Sequence, residues 1–184
     1  MANFYSFLFQ DFHRYRKNYN SIFRNLLFSP GARFMFTIRG CQYFPKFHPF
    51  GLIFRLWNKQ MQVKYGIQLF HTCKIGKGFF MVHYGTIVIN NKTVIGENCN
   101  VHQGVTIGNV NRGKKQGCPK IGDRVWIGAN AVVVGGITIG NDVLIAPLTL
   151  VNFDVPDNAV VAGNPAKIIS YKGSQGYINQ IIDL

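Results

Sequence analysis

Acidic residues are scarce in this chain. Its 184 residues include 7 Asp and Glu against 20 Lys and Arg, which gives a formal net charge of +13. Between Met1 and Tyr65 ten basic residues are accompanied by a single acid, Asp11, and most of the phenylalanines lie in the same stretch. An imbalance of this kind indicates that a partner, substrate or surface of negative charge is close to the protein.

Long apolar runs are missing as well. No stretch of about 18 uncharged apolar residues occurs, as a membrane-spanning helix would need. The N-terminus also lacks a basic stretch leading into an apolar run with a small-residue cleavage site, the pattern of a secretory signal. We therefore expect a cytoplasmic protein, with peripheral contact at the inner face of the membrane as the one membrane association that the composition favours.

Cysteine is limited to Cys41, Cys73, Cys99 and Cys118. A chain of this length can build its own apolar core and needs no disulfide framework, so we expect reduced thiols. Cys99 and His102 have a spacing seen in metal sites, but no second pair follows at a suitable separation. We therefore expect no metal site.

A strict period of six residues is the strongest pattern in the chain. A helical stripe repeats every 3.6 residues and a half-buried strand every 2, so neither explains it. Short strands turned at fixed corners do, and three such strands per turn would make a triangular coil that is stable only when stacked on its neighbours. The apolar residues of the repeat are Ile121, Ile127, Val133, Ile139, Ile145 and Val151.

Two breaks interrupt the repeat earlier in the chain. The register slips by two residues after Ile87, and we assign the slip to the turn at residues 90–92. Fourteen residues then separate Ile107 from Ile121, and residues 109–118 between them are polar, basic and rich in glycine. We predict that this second segment is an extruded loop, and loops on a rigid scaffold often carry function.

The segment before the repeat has helical spacing. Apolar positions at intervals of three and four predict helices at about residues 3–27, 32–42 and 50–62, with a helix stop at Ser29-Pro30-Gly31. We expect a small helical cap on the repeat. The predicted division of the chain is a basic aromatic helical segment at 1–65, a repeat domain at 66–169 with its loop at 109–118, and a tail at 170–184.

Several motifs in the repeat resemble the hexapeptide-repeat acyltransferases, and in particular their serine acetyltransferase-like branch. The resemblance covers Gly66 to Ile169. It implies a mainly β fold, a left-handed parallel β-helix with the helical segment as a short N-terminal cap, and a homotrimer that uses acetyl-CoA without a metal. The matching motifs are Ile75–Gly78, Met81–Gly85, Gly104–Gly108, Cys118–Gly122, Val155–Asn158 and Ala162–Lys167.

The departures from serine acetyltransferases concern the acceptor. Those enzymes carry an Asp directly before the catalytic His and another fifteen residues before it, where this chain has Val82 and Gln68. Cys118 stands where they have a further His. The run Gly104–Asn109 more closely resembles acetyltransferases of colanic acid and capsular polysaccharide clusters.

This second resemblance favours transfer of acetyl to a sugar hydroxyl of a surface-polysaccharide precursor, with a sugar or a lipid-linked glycan as acceptor, whether nucleotide-linked, lipid-linked or polymeric. Two alternatives stay within the same fold: a serine O-acetyltransferase and an amino-sugar N-acetyltransferase. An alternative of another class is a catalytically inactive scaffold or membrane-binding module.

His83 is the candidate general base. Acetyl transfer from a thioester to an alcohol needs a group that removes the hydroxyl proton, and an imidazole suits that task near neutral pH. Direct attack on the thioester requires no covalent enzyme intermediate. If the slip lies at residues 90–92, Val82 stacks under His102 and His83 under Gln103, so Gln103 would share a face with His83 while His102 would point to the opposite side of the strand.

The resemblance also implies where the substrates lie. Small outward residues let the pantetheine of coenzyme A run along the coils, and Lys167 is placed to meet a phosphate. The basic loop is expected to contribute to acceptor binding, although a solvated loop is an equally good interpretation of its sequence. The expected cofactor-binding residues are Gly128, Ala129, Ala146, Pro147 and Lys167, and the expected acceptor-binding residues are Gln103, Asn109 and Arg112.

The N-terminal segment has two interpretations. Interleaved basic and aromatic residues suit an anionic membrane surface, where aromatic rings lie at the headgroup boundary and Lys and Arg lie near lipid phosphates. The same aromatic residues would also pack a helical cap or the ends of a trimer. Nucleic acid is not expected as a partner, because no recognition motif accompanies the charge.

Overall fold

The computed structural model describes residues 4–15 and 22–181. Within these ranges helices come first and short strands follow, which confirms the predicted mainly β class with a helical cap. The helices are α1 (Phe4–His13), α2 (Ile22–Phe28), α3 (Pro30–Tyr43) and α4 (Pro49–Tyr65). The strands are β1 (Ile67–Leu69), β2 (Lys74–Ile75), β3 (Phe80–Met81), β4 (Ile87–Ile89), β5 (Val94–Ile95), β6 (Asn100–Val101), β7 (Thr106–Gly108), β8 (Lys120–Ile121), β9 (Trp126–Ile127), β10 (Val132–Val134), β11 (Thr138–Ile139), β12 (Leu144–Ile145), β13 (Leu150–Val151), β14 (Val160–Ala162) and β15 (Lys167–Ser170).

Successive strands enter three parallel sheets in turn, so the chain coils as a triangular β-helix. The sheets have the strand orders β1-β4-β7-β10-β13, β11-β8-β5-β2 and β15-β14-β12-β9-β6-β3. From β1 to β13, strands three apart in the chain are therefore neighbours, and their backbones hydrogen-bond from coil to coil; β14 then pairs with β12. The last strand, β15, pairs antiparallel with β14 and ends the stack.

The apolar residues that recur every six positions form the inward face of this coil. Ile121, Ile127 and Val133 are almost completely buried, and the equivalent residues of the later coils are buried too. Side chains alternate along each short strand, so the strand buries one or two apolar residues inside the coil and directs the others outward. The interior is thus a continuous apolar column, and the corners and outer faces are free for function.

The two-residue slip lies at a different place from the one predicted. Met81 pairs with Val101, whereas Ile89 pairs with Ile107, so the chain from Met81 to Ile89 is two residues longer than its counterpart on the next coil. Val94 and Ile95 are already back in regular register after the turn at 90–92. The extra residues therefore occupy the corner between β3 and β4. The prediction failed because Ile87 and Ile89 both point inward from β4, and apolar spacing alone cannot assign the insertion to one side of that strand.

The second break is an extruded hairpin. Ile107 pairs with Val133 across it, and Val110 bridges antiparallel to Gly117 at its base. Lys115 ties the tip to the scaffold through an ion pair with Asp154, with 2.5 Å between Nζ and Oδ2. The division of the chain at residues 65 and 169 remains a prediction.

The first predicted helix is not continuous. It ends at His13, and helix resumes at Ile22; residues 16–21 of the predicted helix lie outside the described part of the chain. The sequence predicts that Ser29 ends a helix, and in the structure Ser29 also begins the next one. Its hydroxyl accepts a hydrogen bond from the N–H of Ala32 and caps α3 at its N-terminus. Helices α3 and α4 begin and end slightly outside their predicted bounds.

The helical cap is fixed to the first coil by a buried ion pair. Arg39 of α3 lies 2.8 Å from Asp11 of α1, and both side chains are buried. Asp11 also accepts a hydrogen bond from the N–H of Gly78 at 2.8 Å, while Arg39 donates to the carbonyl of Ile75. The cap therefore holds the coil that carries β3 and the corner after it.

Candidate active site

His83 lies in the elongated corner that follows β3, and its side chain is exposed. Thr86 ends this corner in the left-handed region with φ +50°, like residues at the other corners. Gly85, with φ +111°, has no neighbouring atom within 4 Å of where a Cβ would stand. The two additional residues thus push the imidazole out from the regular coil toward solvent.

The structure brings His83 and His102 together, contrary to the sequence prediction. Their rings lie 5.8 Å apart in an edge-to-face arrangement. The predicted separation assumed that His83 continued the regular alternation of β3, but the long corner turns it toward the face that His102 occupies. His102 is not among the site residues predicted from the sequence. Placing the two-residue slip between β3 and β4, where it lies in the structure, would have identified it.

The surroundings of His102 disfavour the protonated form of its imidazole. The ring is partly buried against Trp126, with 4.6 Å between centroids. Burial, and secondly the neighbouring His83, lower the pKa of His102 below its usual value. Its buried Nε2 has no hydrogen-bond partner among the described residues. A polar atom of this kind is costly unless something completes its hydrogen bond.

Gln103, which follows His102 in the chain, also has a buried polar side-chain atom without a hydrogen-bond partner among the described residues. Its Oε1 is buried and has no hydrogen-bond partner in residues 4–15 and 22–181. Its backbone carbonyl accepts from the N–H of Asn130 at 3.0 Å, which fixes the corner on the following coil. The role of Gln103 beside His83 therefore remains a prediction.

The residues expected to contact coenzyme A lie in the same row of corners on successive coils. Leu148 donates its N–H to the carbonyl of Ala129 at 2.9 Å, so these corners stack directly. A Cβ on Gly128 would lie 2.6 Å from the backbone N of Pro147, which explains the glycine. Together with Ala146 they leave a shallow strip that runs from the His83 corner along the coils.

Lys167 is exposed on β15 and pairs with Ala162, which places it at the far end of the stack.

The predicted acceptor-binding residues Asn109 and Arg112 lie in the hairpin loop, away from His83. Strand β7 separates Asn109 from the corner of Gln103. Within one chain the structure does not bring the hairpin loop to His83. Cys118 at its base approaches Asn90, with 3.3 Å from Sγ to Oδ1, and burial raises the pKa of its thiol.

A buried cation lies near His102. Arg14 is 4% exposed, contacts the ring of Phe80 and donates to Oδ1 of Asn100. Its Nε and Nη1 have no hydrogen-bond partner in the described part of the chain, and burial lowers its pKa to about 10. A cavity of about 260 Å³ opens here. Sequence reasoning counted Arg14 only as part of the basic N-terminal segment. The cavity is lined by Arg14, Phe80, Val82, Asn100, His102, Trp126 and Tyr177.

Residues of types that bind metals do not cluster in the described part of the chain: nowhere do three or more His, Cys, Asp and Glu come together. The groups that the site offers are an exposed imidazole, a second, partly buried imidazole and a strip of small residues. These groups can accept a proton from a hydroxyl and leave space for an extended ligand.

The sequence matches a known family model over part of the repeat. Residues 118–152 match the family described as bacterial transferase hexapeptide (six repeats). Serine acetyltransferase of Helicobacter pylori is 37% identical over 105 residues, which is 57% of this chain and 61% of that protein. Serine acetyltransferase 4 of Arabidopsis thaliana is 37% identical over 111 residues, 60% of this chain but 31% of that protein. The chain thus spans less than two thirds of the length of these curated relatives.

Solved structures show the same likeness over more of the chain. Serine acetyltransferase from Brucella abortus in complex with coenzyme A has a TM-score of 0.78 at 26% identity, covering 91% of this chain and 68% of that one. The Neisseria gonorrhoeae enzyme in complex with serine has a TM-score of 0.73 at 26% identity, covering 91% and 69%.

These relatives correct the acceptor predicted from the sequence. Transfer to a sugar hydroxyl of a surface polysaccharide is wrong, because the relatives named above are serine acetyltransferases in both comparisons. That prediction rested on the missing acids at Gln68 and Val82 and on the run Gly104–Asn109. The prediction relied on these few positions more than on the similarity of the whole repeat domain.

Proposed function

We propose, from the membership of this chain in the hexapeptide-repeat acyltransferase superfamily, that it is a serine O-acetyltransferase. It would transfer the acetyl group of acetyl-CoA to the hydroxyl of serine. The observation that carries the proposal is the exposed His83, held in an elongated corner at the start of a strip of small residues. The relatives that share the repeat supply the acceptor and the donor.

His83 acts as the general base in this mechanism. Its imidazole takes the proton of the serine hydroxyl as the oxygen attacks the thioester carbonyl, and the bond from that carbon to sulfur then breaks. The products are O-acetylserine and the free thiol of CoA, which receives a proton. His102 lies 5.8 Å from His83, and burial lowers the pKa of His102, which disfavours a second positive charge beside the one that His83 acquires.

The donor is proposed to lie along Gly128, Ala129, Ala146 and Pro147. The stacked corners present small residues there, with the exposed Leu148 beside them, and an extended pantetheine can follow this row. Lys167 at the far end of the stack is exposed and can pair with a phosphate. No metal is required by this route.

The assembly is proposed to be a homotrimer in the cytoplasm. In one chain the hairpin loop with Asn109 and Arg112 lies away from His83, whereas a neighbouring copy packed against the corner would bring its own loop nearer. Acceptor binding by Asn109 and Arg112 is therefore proposed to occur across the subunit contact.

This chain lacks the two Asp residues that serine acetyltransferases have at the positions of Gln68 and Val82, so other groups are proposed to hold the acceptor. Gln68 is exposed on β1 and Val82 lines the cavity beside Arg14, so neither supplies a carboxylate for an ammonium group. Arg14 and the unpartnered atoms of His102 and Gln103 instead favour acidic and hydrogen-bonding groups of the acceptor.

An acceptor panel tests the proposal. Purified protein is supplied with acetyl-CoA and either serine, threonine, an amino sugar or no acceptor, and released CoA thiol is measured. We expect serine to give the highest kcat/KM, with mass spectrometry showing a serine adduct heavier by one acetyl group. Another acceptor outperforming serine would contradict the serine assignment, and thiol release from none would contradict the acetyltransferase.

A further inference from the structure

Helix α4 presents an apolar face to the outside of the molecule. Its inner side is buried against the cap through Gly51, Asn58, Met61 and Tyr65. On the opposite side Leu56 is 66% exposed and Val63 is 81% exposed. At 100° per residue the four outward apolar side chains fall within a stripe about 100° wide. We call this stripe the α4 outer face; it consists of Leu52, Ile53, Leu56 and Val63.

Lysines border the α4 outer face on both sides. Lys59 lies about 20° beyond one edge of the stripe and Lys64 about 20° beyond the other. Both are exposed. Just before the helix, Lys46 stands beside Phe47, whose ring is 84% exposed. The face is therefore a mainly apolar strip between two positive borders, with the exposed Gln60 as the one polar residue of α4 within it and an exposed aromatic residue near its N-terminal end.

No carboxylate neutralises these lysines in the described structure. The sequence contains no Asp or Glu between Asp11 and Glu97. Asp11 is buried in its pair with Arg39, and Glu97 pairs with Lys77 at 3.6 Å. The positive charge around the α4 outer face is thus fully available to an external partner.

We propose that the α4 outer face docks the protein on an anionic lipid surface. An apolar stripe with lysine borders is the pattern of a helix that lies in the plane of the headgroups, with its apolar side chains in the acyl boundary and its lysines at the phosphates. A second copy of the chain would instead place lysines against lysines. Among the described residues, none of the helices combines the length and the hydropathy that a membrane span requires.

A flotation assay on vesicles tests the proposal with the full chain. Vesicles of phosphatidylcholine alone are compared with vesicles that contain phosphatidylglycerol, at low and at high salt. We expect binding to the phosphatidylglycerol vesicles and its loss at high salt, because the Debye length falls to about 3 Å at 1 M. Equal binding to both vesicle types, or none to either, would overturn the proposal.

Two variants locate the contact on α4. Leu56→Glu is expected to abolish vesicle binding, and replacing Lys59 and Lys64 by Gln is expected to weaken it about fivefold per lysine. Ile169→Glu is the matched control, since Ile169 is 63% exposed on β15, away from the helical cap. All these positions are exposed, and unchanged unfolding temperatures verify that each variant folds.

The same variants distinguish a lipid surface from a second copy. Light scattering measures the mass of each variant in solution without vesicles. We expect Leu56→Glu to leave the mass unchanged, and a smaller assembly for Leu56→Glu but not Ile169→Glu would show a subunit interface and overturn the lipid assignment. Serine acetylation in solution is a separate readout that the proposal leaves unchanged, so failure of the proposed reaction is visible independently.

Discussion

The imidazoles of His83 and His102 lie edge to face, 5.8 Å apart, although they belong to different coils. The contact exists because the corner after β3 is two residues longer than the corner above it. This corner holds one exposed imidazole next to one that is partly buried, and it directs the exposed ring away from the coil.

Replacing His83 by Ala is expected to lower turnover by a factor of about 10² to 10⁴, the usual contribution of a general base. Release of CoA thiol with serine as acceptor measures it. Affinity for CoA, measured by calorimetry, should not change. His71→Ala is the control, and near-wild-type turnover of His83→Ala would contradict the assignment.

His102 is expected to make stability depend on pH. Its pKa is lowered in the folded state, so the unfolded chain takes up the proton first as the pH falls. The contribution is complete above the usual histidine pKa of about 6.5 and is lost as the pH falls from there through the folded value. The unfolding temperature should therefore drop between pH 7.5 and pH 5 by less in His102→Gln than in wild type. Equal drops would refute this.

Asp11→Asn is expected to destabilise the fold by about 3 kcal/mol, because it leaves the buried guanidinium of Arg39 without its anionic partner. Denaturant unfolding measures the change. Asp154→Asn is the matched control: its partner Lys115 and Asp154 itself are exposed, so the loss should stay below about 1 kcal/mol. Similar losses in the two variants would show that the buried pair has no special role.

Gly128→Ala is expected to destabilise the β-helix by about 1 to 3 kcal/mol, because the added methyl meets the backbone of Pro147 at 2.6 Å. It should also weaken CoA binding, since the strip of corners shifts. Gly108→Ala serves for comparison, because its nearest contact is a side-chain atom of Val134 at 3.3 Å, which can move. The proposed position of CoA would be wrong if calorimetry gave the same affinity for both variants.

The scaffold follows from the periodicity of the sequence alone. A period of six with inward Ile and Val has one common structural solution, and the burial of Ile121, Ile127 and Val133 confirms it. The sequence also identified His83 as the candidate base, through motifs that resemble a known family. Local spacing suffices for such features, because each coil repeats the same short-range geometry.

Tertiary structure decided where the break in the repeat lies and what surrounds it. The apolar pattern permits the two extra residues on either side of β4, and only pairing between coils places them at His83. That placement made His102 a neighbour of His83. Arg14 reaches the same region from a distant helical segment, and the outward direction of Leu56 depends on which side of α4 packs against the cap. These features arise from contacts between residues far apart in the chain, which a periodic pattern does not contain.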